Sequence, residues 1–324
     1  MELFDSLKAK ISDKNIRVVF PEGTEPRILG AVVRLQSEGL LTPVLIGNPE
    51  DIKTAAKDHG FDVENIEIID PNNYDEFDAM VESFVERRKG KATEEKAREI
   101  LKDENYFGTM LTHMGKVQAL VSGAVHSTGD TVRPALQIIK TKPGVSRTSG
   151  AFIMMRGRGQ EKYLFSDCAI NINPNAQELA EIAVESAKTA EMFGIEPKVA
   201  LLSFSTKGSA SGEEVTKVAE ATRIAQELAP EYEIDGEMQF DAAFVKSVAD
   251  QKAPGSNVAG QASVFVFPEI QSGNIGYKIA QRFGNFEAIG PILQGLNKPI
   301  SDLSRGCVEE DVYKTAIITA NQAL

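Results

Sequence analysis

The chain has 324 residues, of which 42% are hydrophobic and 25% charged, and its formal net charge is −12 with the histidines counted as neutral. This length exceeds that of a typical single core and favours two domains of about 150 residues each. The negative charge disfavours binding to nucleic acids and to anionic membranes. No apolar run approaches the roughly 20 residues of a membrane-spanning helix, and the N-terminal segment lacks the features of a secretory signal, so we expect a cytoplasmic protein.

Strands and helices alternate in the first part of the chain. Strands are predicted at 16–20, 42–47 and 64–71, with helices between them at 26–39 and 48–60. This repetition implies right-handed crossovers and a mostly parallel sheet.

Two further segments complete this first part. Residues 74–104 are highly charged and are predicted to be helical, with a mostly solvated face. The apolar run 119–127 then leads into another helix at 128–140.

The sequence pattern changes after residues 142–150. Two neighbouring strands joined by a charged turn come first, and helices and strands alternate beyond them. The predicted strands are 151–157, 162–170, 198–205 and 263–268, and the predicted helices are 176–194, 211–230 and 269–284. The last segment, 308–324, spaces apolar residues four apart as a helix does, and such a helix can pack back on the first domain. We therefore predict a first domain of residues 1–143 plus 296–324 and a second domain of residues 144–295.

The turn HSTGDTVRP, residues 126–134, follows a predicted strand and opens a helix. Ligands of open α/β sheets bind at such strand ends. Ser127 and Thr128 offer hydroxyl and amide groups to an anion, and Arg133 projects near the same place. The same residues are equally consistent with a helix that is simply N-capped.

Two other polar turns are less specific. The stretch LSFSTKGSAS, residues 202–211, lacks the glycine and hydroxyl spacing of a P-loop, so Lys207 lies either in a phosphate site or in a plain polar loop. The stretch DGEMQFDAA, residues 235–243, contains three acids that suit either a metal or acid–base site or, more simply, a solvated turn.

The stretch DLSRGCVEED, residues 302–311, precedes the final helix. Its last three acids fall in the first helical turn, where carboxylates are favourable against the helix dipole. That explanation does not cover Ser304 and Arg305, which lie just before the turn.

The two cysteines and three histidines are scattered singly, so no zinc site, iron–sulfur cluster or disulfide is expected. No histidine lies beside Cys168 or Cys307 in the sequence. We interpret both as buried small hydrophobic residues rather than nucleophiles.

Taken together, these segments resemble the phosphate acetyltransferases (phosphotransacetylases) over essentially the whole chain. The matching motifs are SGAVHSTGDTVRPALQIIKT, FSDCAINI, LLSFSTKGS, DGEMQFDAAF, APGSNVAGQASVFVFPEIQSGNIGYKIAQR, GPILQGLNKP and DLSRGC. The resemblance implies two α/β domains with mostly parallel sheets around a cleft, similar to the isocitrate/isopropylmalate dehydrogenases, and a homodimer. It also implies reversible conversion of acetyl-CoA and phosphate into CoA and acetyl phosphate, without a metal or other cofactor.

The resemblance also assigns roles to residues. The family's catalytic Ser-Arg and its later Asp match Ser304, Arg305 and Asp311, and its VRP arginine matches Arg133. A further arginine of the family matches either Arg87 or Arg88. Ser127, Thr128 and Lys207 complete the expected set for phosphate, acetyl phosphate and CoA. Relatives often carry Ser or Asn where this chain has Val308, so we expect a weakened helix cap.

The expected mechanism is direct attack of the CoA thiolate on acetyl phosphate in a ternary complex. Asp311 removes the thiol proton, Arg305 holds the phosphoryl oxygens, and Ser304 donates to the carbonyl oxygen. A free Asp titrates near ~3.9 and a free thiol near ~8.5, so unassisted transfer is uphill by roughly 6 kcal/mol. We therefore expect Asp311 to lie in a partly apolar pocket and out of direct contact with Arg305.

Three alternatives remain. A decarboxylating dehydrogenase of the same fold would need metal-binding acids where this chain has Tyr277 and Lys278, and a dinucleotide loop that is absent. A phosphate butyryltransferase would differ only in its acyl pocket. A non-catalytic acyl-CoA-sensing module is disfavoured because the chain keeps Ser304, Arg305 and Asp311.

Overall fold

The structure is a computed structural model that describes residues 3–157 and 159–324. It divides into two compact units, which are formed by Leu3–Lys140 with Leu296–Leu324 and by Thr141–Gly295.

The first segment of unit 1 alternates helices and strands. In chain order these are α1 Leu3–Ile11, β1 Arg17–Phe20, α2 Pro26–Ser37, β2 Thr42–Ile46, α3 Pro49–Asp58, β3 Glu67–Ile69, α4 Phe77–Arg88, α5 Glu94–Ile100, α6 Glu104–His113, β4 Ala119–Ser122 and α7 Thr128–Pro134, which continues as a π-helical turn at Ala135–Ile139.

Unit 2 follows with six strands and five helices among its described residues. They are β5 Ser149–Arg156, β6 Glu161–Ser166, α8 Ala176–Met192, β7 Lys198–Leu202, α9 Glu213–Leu228, β8 Glu233–Met238, α10 Phe240–Phe244, α11 Lys246–Lys252, β9 Val264–Val266, α12 Ile270–Phe283 and β10 Glu287–Gln294. The chain then returns to unit 1 with β11 Ile300–Asp302 and α13 Glu309–Gln322.

The sheet of unit 1 has the strand order β11-β4-β1-β2-β3, and all its strands are parallel. β4 and β11 are neighbours, with Ser122 opposite Asp302 at their carboxyl ends. The sheet of unit 2 has the order β10-β5-β6-β9-β7-β8, in which β10, β5 and β6 pair antiparallel and the other pairs are parallel. The prediction of two α/β domains with mostly parallel sheets is confirmed.

The final helix, α13, packs against α2 and α1 within unit 1. Its apolar stripe is fully buried at Val312, Ala316 and Ala320, and Asn321 Nδ2 donates to the carbonyl oxygen of Leu7 at 3.1 Å. Val308 precedes the helix as an exposed N-cap residue without a side-chain acceptor.

Three sequence predictions differ from the structure in detail. Segment 74–104 is helical and largely exposed, as predicted, but three helices begin in it, and Met80 and Phe84 of α4 are fully buried. In the acidic stretch 235–243, Asp235 and Glu237 belong to strand β8 and Asp241 belongs to helix α10, so the stretch is not simply a solvated turn. Strand β10 was not predicted, although it pairs with β5 over most of its length.

No helix in the described part of the chain is both long and apolar enough to cross a bilayer.

Candidate active site

Two turns meet at the carboxyl edge of the unit 1 sheet. The first, residues 123–127, joins β4 to α7, and the second, residues 303–308, joins β11 to α13. Because β4 and β11 are parallel neighbours, both chains leave the sheet side by side. This edge is where α/β proteins bind ligands.

The first turn is held by a buried carboxylate, Glu22, which follows β1. Its oxygens accept from the backbone N–H groups of Ala124, Val125 and His126 at 2.8, 2.9 and 3.0 Å, and His126 Nδ1 lies 2.8 Å from Oε1. Burial raises the pKa of Glu22, but these hydrogen bonds, led by that of the His126 ring, outweigh it and hold the pKa below its usual value. The same contact raises the pKa of His126. The turn is therefore fixed by a rigid acceptor rather than by solvent.

A single guanidinium, that of Arg27 in α2, connects the two turns. Its Nη1 donates to the carbonyl oxygens of Arg305 and Cys307, both at 2.9 Å, and its Nη2 donates to that of Ala124 at 2.9 Å. Its Nε donates to Glu25 at 2.6 Å, which fixes the side chain at the start of the helix. Because the planar Arg27 guanidinium forms hydrogen bonds with both turns, it sets the distance between the two turns.

The residues of the first turn that are predicted to bind phosphate differ in which of their hydrogen-bonding groups remain without a partner in the protein. The hydroxyl of Ser127 is engaged, since it donates to Asp130 Oδ2 at 2.6 Å and accepts from the backbone N–H of Asp130 at 3.3 Å. Thr128 and Gly129 open α7, so their backbone N–H groups have no acceptor within the helix. Arg133 is exposed and folds back toward this end, with Nη2 3.7 Å from the position of a Cβ at Gly129.

The second turn exposes Ser304 and Arg305. Ser304 Oγ accepts from the backbone N–H of Gly306 at 3.2 Å, which leaves its proton available. Among the described residues, the guanidinium of Arg305 forms no hydrogen bond or ion pair, and neither does that of Arg133. The unpaired Arg133 guanidinium lies near the free N–H groups of α7, and the neighbouring turn carries a second unpaired guanidinium, that of Arg305. Such groups are suited to binding an anion.

Asp311 behaves only partly as expected. It has no contact with Arg305 among the described ion pairs, as predicted. The partly apolar pocket is wrong, because Asp311 is exposed and its Oδ2 accepts from the backbone N–H of Val308 at 2.9 Å.

The structure separates the two arginines that the sequence left open. The Arg87 guanidinium donates to the carbonyl oxygens of Ile138 and Ile139 at 2.5 and 2.9 Å, where it closes the end of the helix that starts at Thr128. Arg88 is half-buried and makes no ion pair among the described residues. Burial raises the pKa of nearby Tyr106, and the charges of Arg133 and Arg88 only partly oppose that rise. Arg88 is thus the free cation of the two, and Arg87 holds the backbone.

Lys207 lies in unit 2 and is also engaged. Its ammonium forms an ion pair with Asp235 and donates to the carbonyl oxygen of Gly236 at 3.0 Å. Buried Glu237 accepts from Ser205 Oγ at 2.9 Å and from the N–H of Gly208 at 2.7 Å, so this acid stabilises the loop. In the described ranges, no group of three or more His, Cys, Asp and Glu side chains is arranged to hold a metal ion.

The cysteines Cys168 and Cys307 are both free and buried. Burial raises the pKa of each thiol. Their prediction as small buried residues is confirmed.

Sequence reasoning missed three residues of this edge: Glu22, Arg27 and Asp302. The first two lie in and just after the PEGTEP turn that follows β1, and their position after a parallel strand was the available signal. Asp302 opens the DLSRGC motif but received no role.

The fold and these two turns define an α/β protein whose candidate site is built to hold an anion. A profile of the phosphate acetyl/butaryl transferase family matches residues 2–320. The phosphate acetyltransferase of Bacillus subtilis (strain 168) is 61% identical over 323 residues, which cover 100% of this chain and 99% of the relative. The chain therefore belongs to the phosphate acetyl/butaryl transferase family, as the sequence motifs indicated.

Solved structures agree with this assignment. A phosphotransacetylase from Streptococcus pyogenes superposes with a TM-score of 0.97 at 61% identity, covering 99% of this chain and 98% of the other. The EutD phosphotransacetylase from Staphylococcus aureus superposes with a TM-score of 0.95 at 58% identity, with the same coverage. The expected similarity to isocitrate and isopropylmalate dehydrogenases stays a prediction.

Proposed function

We propose that this chain is a phosphate acetyltransferase, which converts acetyl-CoA and phosphate into CoA and acetyl phosphate and runs in both directions. The curated relatives that carry this name align with the whole chain at about 60% identity. The structural observation that supports the proposal most directly is the bridge made by Arg27, because it holds Ser304 and Arg305 next to the Thr128 turn.

In the proposed reaction the CoA thiolate attacks the acetyl carbonyl of acetyl phosphate directly. The new S–C bond forms as the C–O bond to phosphate breaks, and phosphate leaves with the electron pair. Arg305 and Arg133 bind phosphoryl oxygens together with the N–H groups of the Thr128 turn, and the hydroxyl of Ser304 donates a hydrogen bond to the carbonyl oxygen as charge develops there.

Asp311 is the proposed acceptor of the thiol proton. Unpaired guanidinium groups near the CoA thiol would lower its pKa and so make the proton transfer easier. Because Asp311 is exposed, burial does not raise its basicity, and the lowered pKa of the thiol has to provide the driving force.

No metal or other cofactor takes part in this scheme. Arg88 is a better candidate than Arg87 for an additional substrate contact, because the Arg87 guanidinium is bonded to backbone carbonyl oxygens and that of Arg88 has no hydrogen bond or ion pair within the described residues. Lys207 can bind a substrate phosphate only after it exchanges its contact with Asp235.

The test is release of CoA thiol from acetyl-CoA, with and without phosphate. We expect phosphate-dependent release by the wild type, and losses of at least a hundredfold in kcat/KM for Arg305→Ala and Asp311→Asn. Butyryl-CoA in a parallel assay distinguishes the acetyl from the butyryl enzyme. No release by a folded protein would reject catalysis and favour an acyl-CoA-sensing module. Release that does not depend on phosphate would be thioester hydrolysis and would reject acetyl transfer to phosphate.

We also propose that the protein is a cytoplasmic homodimer. Free cysteines fit a reducing compartment. Unit 2 carries an aromatic groove of about 520 Å³, lined mainly by Tyr163, Phe240, Phe244, Phe265, Phe283 and Phe286. Phe283 is 91% exposed, and an exposed apolar patch of this kind marks an interface. A second copy of the chain is the occupant that we propose.

The mass in solution, measured by light scattering, tests this interface. We expect Phe283→Asp to convert a dimer into a monomer and the same change at Phe204, which is exposed outside the groove, to leave the dimer intact. A monomeric wild type, or a dimeric Phe283→Asp variant, would contradict it.

A further inference from the structure

The proposed mechanism gives no task to His126, a half-buried side chain in the turn between β4 and α7. The residue directly precedes Ser127 and Thr128. Its Nδ1 lies 2.8 Å from Oε1 of Glu22, and its side chain is 27% exposed, whereas that of Glu22 is 1% exposed. One ring nitrogen thus faces a buried carboxylate, while part of the side chain reaches the surface at the edge where α/β proteins bind ligands.

The Glu22 carboxylate determines which ring nitrogen carries the fixed proton. Glu22 accepts from three backbone N–H groups, those of Ala124, Val125 and His126, and such donors stabilise its ionised form. An ionised carboxylate can only accept hydrogen bonds, so Nδ1 must be the donor in its contact with Glu22. Nε2 has no hydrogen-bond partner among the described residues. Nε2 is therefore the position at which the ring gains or loses a proton, and it is open to a ligand.

The charge of Glu22 has to be offset before an anion can bind at this turn. The hydrogen bond to Glu22 raises the pKa of His126, burial lowers it, and the charges of Glu22, Asp103 and Glu104 raise it further. Asp130 in α7 interacts with the ring charge as well. Protonation at Nε2 gives His126 a positive charge that balances the buried carboxylate.

The protonated ring would join two guanidinium groups at this edge. Arg27 uses its nitrogens on protein acceptors, since Nε donates to Glu25 and both Nη atoms donate to carbonyl oxygens of the two turns. Arg133 is unpaired among the described residues, and its Nη2 lies 3.7 Å from the position of a Cβ at Gly129. The first turn thus presents two cationic donors to an anion, the Arg133 guanidinium and Nε2 of protonated His126.

We propose that His126 is a phosphate-binding residue: Glu22 holds its ring through Nδ1, and Nε2–H donates to a phosphoryl oxygen beside Arg133. This inference rests on the proposed function, because phosphate is the substrate concerned. A charged donor binds a phosphoryl oxygen more strongly than a neutral one does. Neutral His126 has the opposite effect, because Nδ1 keeps its proton and Nε2 then presents a lone pair to the anion. Phosphate affinity should therefore fall as the pH rises through the pKa of His126, which lies above the ordinary value of ~6.5.

His126→Asn separates this role from a purely structural one. The amide nitrogen of asparagine lies where Nδ1 lies in histidine, so the variant keeps a donor to Glu22 and loses the group at Nε2. We expect the Kd for inorganic phosphate, measured by calorimetry at about pH 6, to rise about tenfold, with an unchanged unfolding temperature. At about pH 9 the two proteins should bind phosphate equally, or the variant more tightly. Equal affinity at the lower pH, or a ratio of the two Kd values that does not change with pH, would overturn the inference.

The ratio of the two Kd values cancels titrations that both proteins share. These belong to phosphate itself and to the charged groups around the two turns, which are Glu22, Arg27, Asp103, Glu104, Asp130, Arg133 and Arg305. His59→Asn is the matched control, because it makes the same substitution at an exposed histidine that follows α3. It should leave the Kd for phosphate unchanged at both pH values, and a loss equal to that of His126→Asn would also count against the inference.

A second test uses the wild-type chain and so does not depend on how a variant folds. The chain has three histidines, His59, His113 and His126, whose ring protons can be followed separately in an NMR titration. Binding and protonation are reciprocal, so a tenfold preference of phosphate for the protonated ring raises the pKa of His126 by about one at saturating phosphate. The reference is sodium chloride at the same ionic strength, and phosphate should leave the pKa of His59 unchanged. A pKa of His126 that does not respond to phosphate would refute the contact.

The titration also separates this inference from the proposed function. If acetyl transfer depended on phosphate while the pKa of His126 did not respond to it, only the inference would fail. If the chain showed no acetyl transfer but phosphate raised the pKa of His126, the proposed function would fail and the contact between His126 and phosphate would stand.

Discussion

Arg27→Lys is the change that most directly tests whether the two turns form one site. The guanidinium makes three hydrogen bonds to carbonyl oxygens of the two turns, and a lysine ammonium at the same place can reach one side at a time. A hydrogen bond from a charged donor contributes about 1.5–3 kcal/mol. Because the Arg27 side chain is 28% exposed, loss of two such bonds should destabilise the protein by about 2 kcal/mol rather than by their full sum.

The effect on activity should be larger than this loss suggests. A misplacement of about 1 Å between groups that act together costs on the order of a hundredfold in rate. We therefore expect kcat/KM for phosphate-dependent acetyl transfer to fall about a hundredfold in Arg27→Lys. The unfolding temperature should drop by only a few degrees.

Arg34→Lys is the matched control on the same helix. Arg34 donates to Glu310 at 2.6 Å and to Glu38 at 3.1 Å and stacks on the ring of Tyr313 at 3.6 Å, so it links α2 to α13 without contacting either turn. It should lose comparable stability and keep its activity. Normal kinetics in Arg27→Lys, or an equal loss in Arg34→Lys, would refute the bridging role.

Two further pairs of substitutions separate structural from chemical roles. Arg87→Gln should lower the unfolding temperature with little change in KM, because it removes two hydrogen bonds to the end of a helix. Arg88→Gln should instead raise the substrate KM several-fold at unchanged stability. Steady-state kinetics and thermal unfolding check both variants, and unchanged kinetic constants in Arg88→Gln would exclude a substrate contact. Cys168→Ala and Cys307→Ala should keep most turnover, since burial keeps both thiols protonated. Loss of turnover in a folded cysteine variant would point to an acetyl-cysteine intermediate instead.

The sequence made Ser127 and Thr128 candidates because they follow a predicted strand, and it made Ser304 and Arg305 candidates because helix capping does not account for them. Parallel strands end at one edge of a sheet, so a polar turn after each strand is a candidate without knowledge of the tertiary contacts. Arg27 was not found in this way, because its role depends on carbonyl oxygens that are far away in the chain, and backbone acceptors leave no pattern in the sequence.

The errors in the fold have equally physical causes. Strand β10 contains Gly290 and Pro291, which normally indicate a turn, and only its long-range pairing with β5 makes it a strand. In segment 74–104 the high density of charge concealed Met80, Val81 and Phe84, which are fully buried on one face of α4. Local composition therefore predicted the element types better than their burial.

The three acids at the start of α13 show why the choice of substitution matters for the proposed base. Each has a structural role: Glu309 lies against Gly30, Glu310 pairs with Arg34 at 2.6 Å, and Asp311 accepts from the N–H of Val308 at 2.9 Å. A favourable helix start thus accounts for all three. Replacing Asp311 by alanine would remove the cap and the proposed base together, so its effect on rate would not identify either.

Asp311→Asn resolves this ambiguity, because the amide oxygen still accepts from the N–H of Val308 but does not take a proton. We expect this variant to unfold at the wild-type temperature and to lose at least a hundredfold in kcat. Asp311→Ser, which can also cap, should behave in the same way. If both capping variants keep wild-type turnover while Asp311→Ala loses stability, Asp311 only starts a helix, and the thiol proton must leave by another route.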